Sequence, residues 1–289
     1  MNNTEPNDFE VSSTPISRVE NANRALELML AQARSLPLKN RVSSGFPKDE
    51  DLELILQLAS EYVFTNSSAL FRKRDGANEA LTAFWLASVL KKARHLSTST
   101  LKKSFDGLDQ EGLRSLAKLS LKPYNLPELQ DRLMAEHSIL LVFERAYPSL
   151  KVDGAVALLE NGLPVIGVSL RYPRYDHFWF TLMHELAHVS LHYAQLSKPI
   201  IDDFEDDESA VLGVEAEANR YAADILVPRR LWDKSLVHRT HREVDLLLLA
   251  KQAQVHPAIV AGMLRKRLGD YRLFSKIVNE LDVRQLLGG

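Results

Sequence analysis

The sequence His184-Glu185-Leu-Ala-His188 constrains this chain more than any other feature. Residues four apart lie one turn apart on an α-helix, so the two histidines face the same way. Two imidazoles at this spacing can hold one zinc ion, and the glutamate between them can take a proton from the water that attacks a peptide carbonyl. We therefore predict a helix from Phe178 to His192, capped by Asp176, with Glu185 as the catalytic base of a metallopeptidase.

Two histidines leave a zinc ion short of a third protein ligand, and the sequence close to the motif does not supply it. A Gly and a His three and six residues after His188 would give the metzincin arrangement, but Leu191 and Ala194 stand there. His192 lies one further turn along the helix. Three ligands on one straight helix would span about 11 Å, too far to meet one ion. His192 is therefore expected to support the site or to be structural.

A second helix, predicted from Val214 to Val227, offers a carboxylate ligand. It carries Glu215 and Glu217, and its small residues Ala218 and Ala222 permit close approach to the first helix. Spacing alone leaves both glutamates open as the third ligand.

Composition narrows the class of protein. The chain has 289 residues, 45% of them hydrophobic, with 36 basic and 38 acidic residues, so its global charge does not favour nucleic acid. It contains no cysteine, which restricts metal ligands to His, Asp and Glu. The first residues lack the pattern of a secretory signal, and no run of 18 apolar residues occurs. We expect a cytoplasmic globular protein.

The order of elements predicts four regions. We predict a polar tail over residues 1–16, a helical region over 17–136, the catalytic core over 137–228 and a helical C-terminal subdomain over 229–289. The helices predicted before the core are 19–35, 49–64, 77–95, 109–119 and 126–136, the last two each opened by an Asp or Asn that can cap the helix.

A small sheet is predicted ahead of the motif helix. Apolar runs indicate strands over 138–143, 155–160 and 163–169, and Asn161-Gly162 favours a type I′ hairpin between the last two. A strand beside the metal can hold an extended peptide by backbone hydrogen bonds, and Val165 to Arg171 is the candidate strand.

Two motifs together resemble the ImmA/IrrE family of bacterial and phage zinc metallopeptidases. HELAH is followed by EAEANRYAADILVP at 215–228, where the family has E-x-x-A-N-x-F-A-A-x-L-L-x-P. The resemblance implies an α+β fold with a zincin-like core and one zinc ion held by His184, His188 and Glu215, with Glu185 as base. Glu217 is the weaker ligand candidate, and Asn219 matches the family's Asn and can orient a ligand.

The oxyanion of the reaction needs a donor that the sequence does not single out. Tyr221, which replaces the family's Phe, adds a hydroxyl. The full set of candidates for this donor or for support of the ligands is Asn219, His192, His177, Tyr172, Tyr175 and Tyr221.

Local charge suggests partners. Six acids in the seven residues from Asp202 to Glu208 indicate either a cleft that favours a basic substrate or a solvated loop. Residues 246–268 have the spacing of a helix-turn-helix, which indicates DNA contact or simple packing under the active site. Single-stranded DNA is the candidate activator. Its candidate contacts are Lys91, Lys92, Arg94, Lys102, Lys103, Arg229, Arg230, Arg239 and Arg242.

The resemblance also implies a task. Members of the family typically cleave a helix-turn-helix repressor, which relieves repression in the DNA-damage response, in phage defence or in mobile-element control. We expect a zinc endopeptidase that cuts such a protein partner. The alternative is a regulatory or antitoxin-like protein that binds DNA or a partner through the same fold with little proteolysis. The intact Glu185 favours the peptidase, because a purely structural zinc site needs no base.

Overall fold

The computed structural model describes residues 27, 76–98, 104–146, 150–202 and 213–288. The tail, the helix predicted at 49–64 and, apart from the helical Glu27, the helix predicted at 19–35 lie outside these ranges. So do Lys102, Lys103 and the acidic residues from Asp203 to Glu208.

Helices and four short strands alternate along the described chain. Short 3₁₀ turns at Leu119–Leu121, Pro123–Glu128 and Tyr193–Gln195 connect some of them. The elements are α1 (Gly76–Thr98), α2 (Gln110–Lys118), α3 (Leu129–His137), β1 (Leu140–Phe143), β2 (Gly154–Leu158), β3 (Pro164–Val168), α4 (Tyr175–His192), β4 (Ile200–Asp202), α5 (Gly213–Leu226), α6 (Arg229–Lys234), α7 (Val237–Thr240), α8 (Glu243–Ala253), α9 (Pro257–Leu268), α10 (Ser275–Val278) and α11 (Val283–Leu286).

One mixed sheet contains all four strands in the order β1-β3-β2-β4. β1 runs parallel to β3, while β2 is antiparallel to both β3 and β4. The prediction that Val165 to Arg171 binds a peptide is wrong, because β3 lies between β1 and β2 and both of its edges are already paired. β2 lies nearer the metal motif, and β4 was not predicted.

The sheet separates two layers of helix, as the alternation of its side chains requires. Leu141, Val156 and Ile166 face the cluster that contains α4. Their neighbours Ala155 and Val165 face the cluster that contains α1. This arrangement confirms the predicted α+β fold, in which a small sheet carries the motif helix on one face.

The α4 helix is buried on every side over its central turns. Residues 181–189 are all buried, between the sheet, α5 and α9. The α8–α9 pair occupies the segment with helix-turn-helix spacing, and α9 packs against α4, where Gly262 lies against the Asp176 side chain. The α9 helix therefore packs under the motif helix, and DNA contact by this pair stays a prediction.

Three local predictions are wrong. Asp176 does not cap α4: the cap is Arg174, without a side-chain bond, and the Asp176 carboxylate accepts the Arg174 guanidinium instead. Asn125 does not cap α3, which begins only after a 3₁₀ turn.

The hairpin between β2 and β3 is not of type I′. Gly162 has φ +81°, but Asn161 is not among the described residues with positive φ. Leu159 pairs with Leu163 across a three-residue loop, in which the Gly162 N–H donates to the Leu159 carbonyl. This is a type I turn closed by a left-handed glycine.

No helix among the described residues is long and apolar enough to cross a membrane.

Candidate metal centre

The motif helix aims its two histidines at one point. His184, Glu185 and His188 are all fully buried. The Nε2 atoms of His184 and His188 lie 3.0 Å apart. Neighbours one turn apart on α4 therefore converge through the same ring nitrogen, as two ligands of one ion must.

The second helix brings one of its two glutamates to this point. Glu215 Oε2 lies 3.3 Å from His184 Nε2 and 3.4 Å from His188 Nε2. Glu217, two residues on, points elsewhere: its side chain is 58% exposed and contacts His192. The structure thus brings Glu215 together with the histidines and leaves Glu217 outside the cluster.

A fourth group, which the sequence reasoning missed, is Asp202 at the end of β4. Its Oδ2 lies 3.1 Å from His184 Nε2 and 3.8 Å from His188 Nε2. The carboxylate is 7% exposed, and among the described residues Oδ2 has no hydrogen-bond donor in acceptable geometry. A cation beside this buried carboxylate oxygen, either a protonated histidine or a metal ion, would stabilise it.

These four groups fit a divalent metal ion. An ion with bonds of about 2.0–2.1 Å at tetrahedral angles sets its ligand atoms about 3.3 Å apart. The distances above are 3.0 to 3.8 Å, and one ligand atom from each group lies within 4.8 Å of all the others. The set of two nitrogen and two oxygen donors suits zinc and related metals.

Burial and the charges of neighbouring groups change the pKa values of the side chains in this cluster. Burial, then the nearby Asp202 and Glu215 carboxylates, raise the pKa of Glu185 well above its usual value. Burial alone would lower the pKa of His184, but Asp202 and Glu215 hold its protonated form and raise the pKa to about 9. Burial alone would raise the pKa of Glu215, but the nearby His184 and His188 side chains lower it below its usual value. The cluster attracts positive charge, and a metal ion can take the place of the histidine protons.

Comparison with known proteins agrees with this geometry. Residues 137–265 match the family model of the IrrE N-terminal-like domain, Peptidase_M78. The match indicates a metallopeptidase, and hence a protein substrate. No curated protein and no solved structure matches the chain at a significant level.

The chain holds each of the two histidines by its second ring nitrogen. His184 Nδ1 lies 3.0 Å from Asn219 Oδ1, an acceptor, so Nδ1 carries the proton and Nε2 keeps a lone pair. His188 Nδ1 lies 3.1 Å from His192 Nδ1, and His192 Nε2 lies 3.2 Å from Glu217 Oε2. With Glu217 ionised, His192 donates to it and accepts from His188. Both ligand nitrogens are thereby left free for a metal.

The oxyanion candidates are dispersed. Tyr175 is fully buried, and its hydroxyl donates to the Ser120 carbonyl, in the core. Tyr221 lines a groove of about 750 Å³ with Glu217 and Trp232, and none of the four metal-facing side chains lines that groove.

The remaining two candidates lie on the sheet side of α4. His177 Nε2 lies 3.2 Å from Asp153 Oδ1, and the Tyr172 ring meets the His177 ring edge to face. Asp153 directly precedes Gly154, the residue that lies against the Glu185 carboxylate. The identity of the oxyanion donor stays a prediction.

The basic candidates fall into two separate places. Lys92 pairs with Glu144 at 3.0 Å and Arg94 with Glu160 at 2.5 Å, both on α1, which covers the other face of the sheet from α4. The later group lies on α6, α7 and the turn before α8, where Arg230 and Arg239 are exposed. In this group Arg229 pairs with Asp233 and Arg242 with Asp245.

Gly154 is the second residue that sequence reasoning missed. A Cβ atom built on it would lie 2.8 Å from Cδ of Glu185, so the base fits only beneath a glycine. In the sequence, a single glycine at the start of a strand is a weak signal for a functional role. Asp202 lies in an acidic run that is typical of a loop. Neither role depends on local periodicity, because both depend on which strands pair.

Proposed function

We propose that this chain is a zinc endopeptidase that acts in the cytoplasm and cleaves a protein partner, a helix-turn-helix transcriptional repressor. Cleavage would relieve repression in a stress response, in phage defence or in mobile-element control. The family match supports the peptidase activity, and the motif resemblance supports the kind of substrate.

One observation carries the proposal. Glu185 is fully buried beside the metal-facing histidines, and among the described residues neither of its carboxylate oxygens has a hydrogen-bond donor. Burying a carboxylate in this way costs stability, and no contact with the described residues offsets that cost. A residue kept at such cost is explained by its chemistry.

The roles of the residues follow from their positions. Zinc, when bound by His184, His188 and Glu215, would supply Lewis-acid polarisation of the scissile carbonyl and of a water molecule. Glu185 would take a proton from that water and deliver it to the leaving amine. Asn219 and the His192–Glu217 pair would hold the imidazoles in the required tautomers.

The non-proteolytic alternative, an antitoxin-like binder, uses the same fold without chemistry. It gives no reason for an acid to be buried between the histidines of the metal cluster. The position of Glu185 therefore favours the peptidase.

Co-expression with a helix-turn-helix regulator encoded next to the gene for this chain tests the function. We expect mass spectrometry to find two fragments of the regulator from one internal cut. Treatment of the purified chain with 1,10-phenanthroline should stop the cleavage, and added Zn²⁺ should restore it. An intact regulator under all of these conditions would favour the binder.

Nucleic acid is the proposed activator. The chain contains no cysteine for a redox switch, so control by a ligand or partner is required. The exposed arginines of α6 and α7 offer phosphate contacts, while Lys92 and Arg94 already pair with acids.

A further inference from the structure

The outer edge of β2 is covered by the chain itself. β4 pairs antiparallel with β2 through Gly154 with Asp202, Ala155 with Ile201 and Val156 with Ile200. The Asp153 N–H also donates to the Asp202 carbonyl at 2.9 Å. β2 lies next to the metal-facing side chains. The segment that pairs with its outer edge therefore determines which backbone lies beside the site.

A strand on this edge runs past the groups that would do the chemistry. Gly154 lies against the Glu185 carboxylate, and its direct partner across the ladder is Asp202. An extended polypeptide that pairs with β2 in place of β4 would bring its backbone to the same point. Pairing of this kind is a common way to hold a peptide, because the backbone hydrogen bonds do not depend on its sequence.

Asp202 adds a contact to the cluster that the peptidase chemistry does not require. A catalytic zinc site has three protein ligands and one open position, whereas a site with four protein ligands is closed. His184, His188 and Glu215 already supply three ligand atoms. Asp202 Oδ2, at 3.1 Å from His184 Nε2, is a fourth atom at ligand spacing.

We propose that β4 is a built-in competitor of the substrate: it occupies the strand position on β2 that an extended segment of the substrate polypeptide takes, and Asp202 fills the fourth ligand position of the metal. This inference rests on the proposed peptidase function. The site is closed while β4 is paired, and opens when β4 leaves β2.

The size of β4 suits a competitor that must leave. The strand has three residues and lies at the end of the sheet, and both Ile200 and Ile201 are only partly buried. Short edge strands with few buried contacts belong to the least stable parts of a fold. The longer ladder of a bound substrate can therefore displace it.

A small metal-binding molecule tests the closed site without any measurement of activity. The probe is acetohydroxamic acid, titrated into Co²⁺-loaded protein and followed by the visible absorption of the metal. We expect Asp202→Ala to bind it about 10- to 100-fold more tightly than the wild type, the scale of other changes around bound metals. Asp131→Ala, which removes an exposed acid of α3, serves as the control and should match the wild type. Equal affinity in wild type and Asp202→Ala overturns the proposal.

A reversible lock tests the strand itself. Ala155 and Ile201 are direct partners, and their side chains face the same core cluster. Directly opposed residues of an antiparallel pair lie about 4.5–5.5 Å apart, within the range of a disulfide. Since the chain has no cysteine, Ala155→Cys/Ile201→Cys forms a single defined bond.

We expect the oxidised double variant to lose regulator cleavage and the reduced form to regain it, while Ile201→Cys alone is insensitive to oxidation. Equal cleavage by the oxidised and reduced forms overturns the proposal. If no form cleaves the regulator, the peptidase function fails, but acetohydroxamate affinity still decides whether Asp202 closes the metal site.

Discussion

Gly154 and Glu185 are in direct contact, so that a Cβ atom at residue 154 would overlap the carboxylate of the proposed base. The contact joins β2 to the motif helix α4 at the point where the chemistry is expected. It also fixes the direction of the Glu185 side chain, because the carboxylate fits only where the strand lacks a side chain.

Gly154→Ala should therefore destabilise the protein by displacing Glu185. Over-packing of this kind costs about 1–3 kcal/mol in the free energy of unfolding. In a Glu185→Ala background the new methyl group enters the vacated space, and the cost should largely disappear. Urea unfolding of the four proteins in this cycle measures the coupling. Equal costs in both backgrounds would show that Glu185 does not lie beneath Gly154.

Glu185→Gln should keep the fold and the metal but lose cleavage by about 10²- to 10⁴-fold, because the amide cannot accept the proton of the attacking water. Metal analysis and a regulator-cleavage assay on one preparation check it. Glu111→Gln makes the same chemical change on the surface of α2 and should cleave at the wild-type rate. Undiminished cleavage by Glu185→Gln would exclude the assigned role.

Glu215→Ala and Glu217→Ala form a matched pair on α5. Loss of Glu215 should weaken zinc binding, because its carboxylate lies 3.3 and 3.4 Å from the two histidine nitrogens. Loss of Glu217 should leave the zinc content near that of the wild type, since it contacts only His192. Inductively coupled plasma mass spectrometry after gel filtration gives both contents. The reverse result would place the third ligand at Glu217.

Sequence patterns predicted the parts of the fold that depend on local order. The spacing of His184 and His188 placed the motif helix, and apolar runs placed the first three strands. The family's second motif put Glu215 ahead of Glu217, and the structure brings only Glu215 to the histidines. In each case the information lies in neighbouring residues.

Pairing between distant strands was beyond those patterns. Asp202 reaches the metal cluster because three residues of β4 pair with β2, and no periodicity marks so short a strand. The Asn161-Gly162 turn was assigned the wrong type because Leu159 closes the loop one residue earlier than the two-residue rule assumes. Asp176 was assigned as a cap, but the nearby Arg174 guanidinium competes for its carboxylate.

His256 should make stability fall in acid. Its Nδ1 accepts the Ala258 N–H at the start of α9, which requires the neutral ring, and burial lowers the pKa of His256 below its usual 6.5. The folded state therefore binds this proton less readily than the unfolded state. The contribution is complete above pH 6.5 and is lost as the pH falls through the lower folded pKa.

His256→Asn keeps a capping acceptor that does not titrate, and a helix cap contributes about 1 kcal/mol. As the pH falls from 7.5 to 5, the unfolding free energy of the wild type should decrease relative to that of the variant. Because both proteins share all other titrating groups, a difference that stays constant would contradict the assignment.

Single-stranded DNA should bind the arginines of α6 and α7. Fluorescence anisotropy with a labelled oligonucleotide should show affinity that falls steeply with salt, as phosphate contacts require. Arg230→Glu/Arg239→Glu should weaken binding and any stimulation of cleavage without changing the zinc content. Lys92→Glu, at a lysine already paired with Glu144, should have a smaller effect. Absence of binding at low salt would exclude DNA as the activator.

The burial of the metal-facing groups also sets how fast an ion can be exchanged. Both histidines are inaccessible and Asp202 is nearly so, whereas the Glu215 side chain keeps 21% of its exposure. Within the part of the chain that the structure describes, an ion can enter or leave past the first turn of α5 or after β4 has moved. The exchange rate is thus limited by motion of the protein, so raising the concentration of a chelator beyond a certain point will not remove the metal faster.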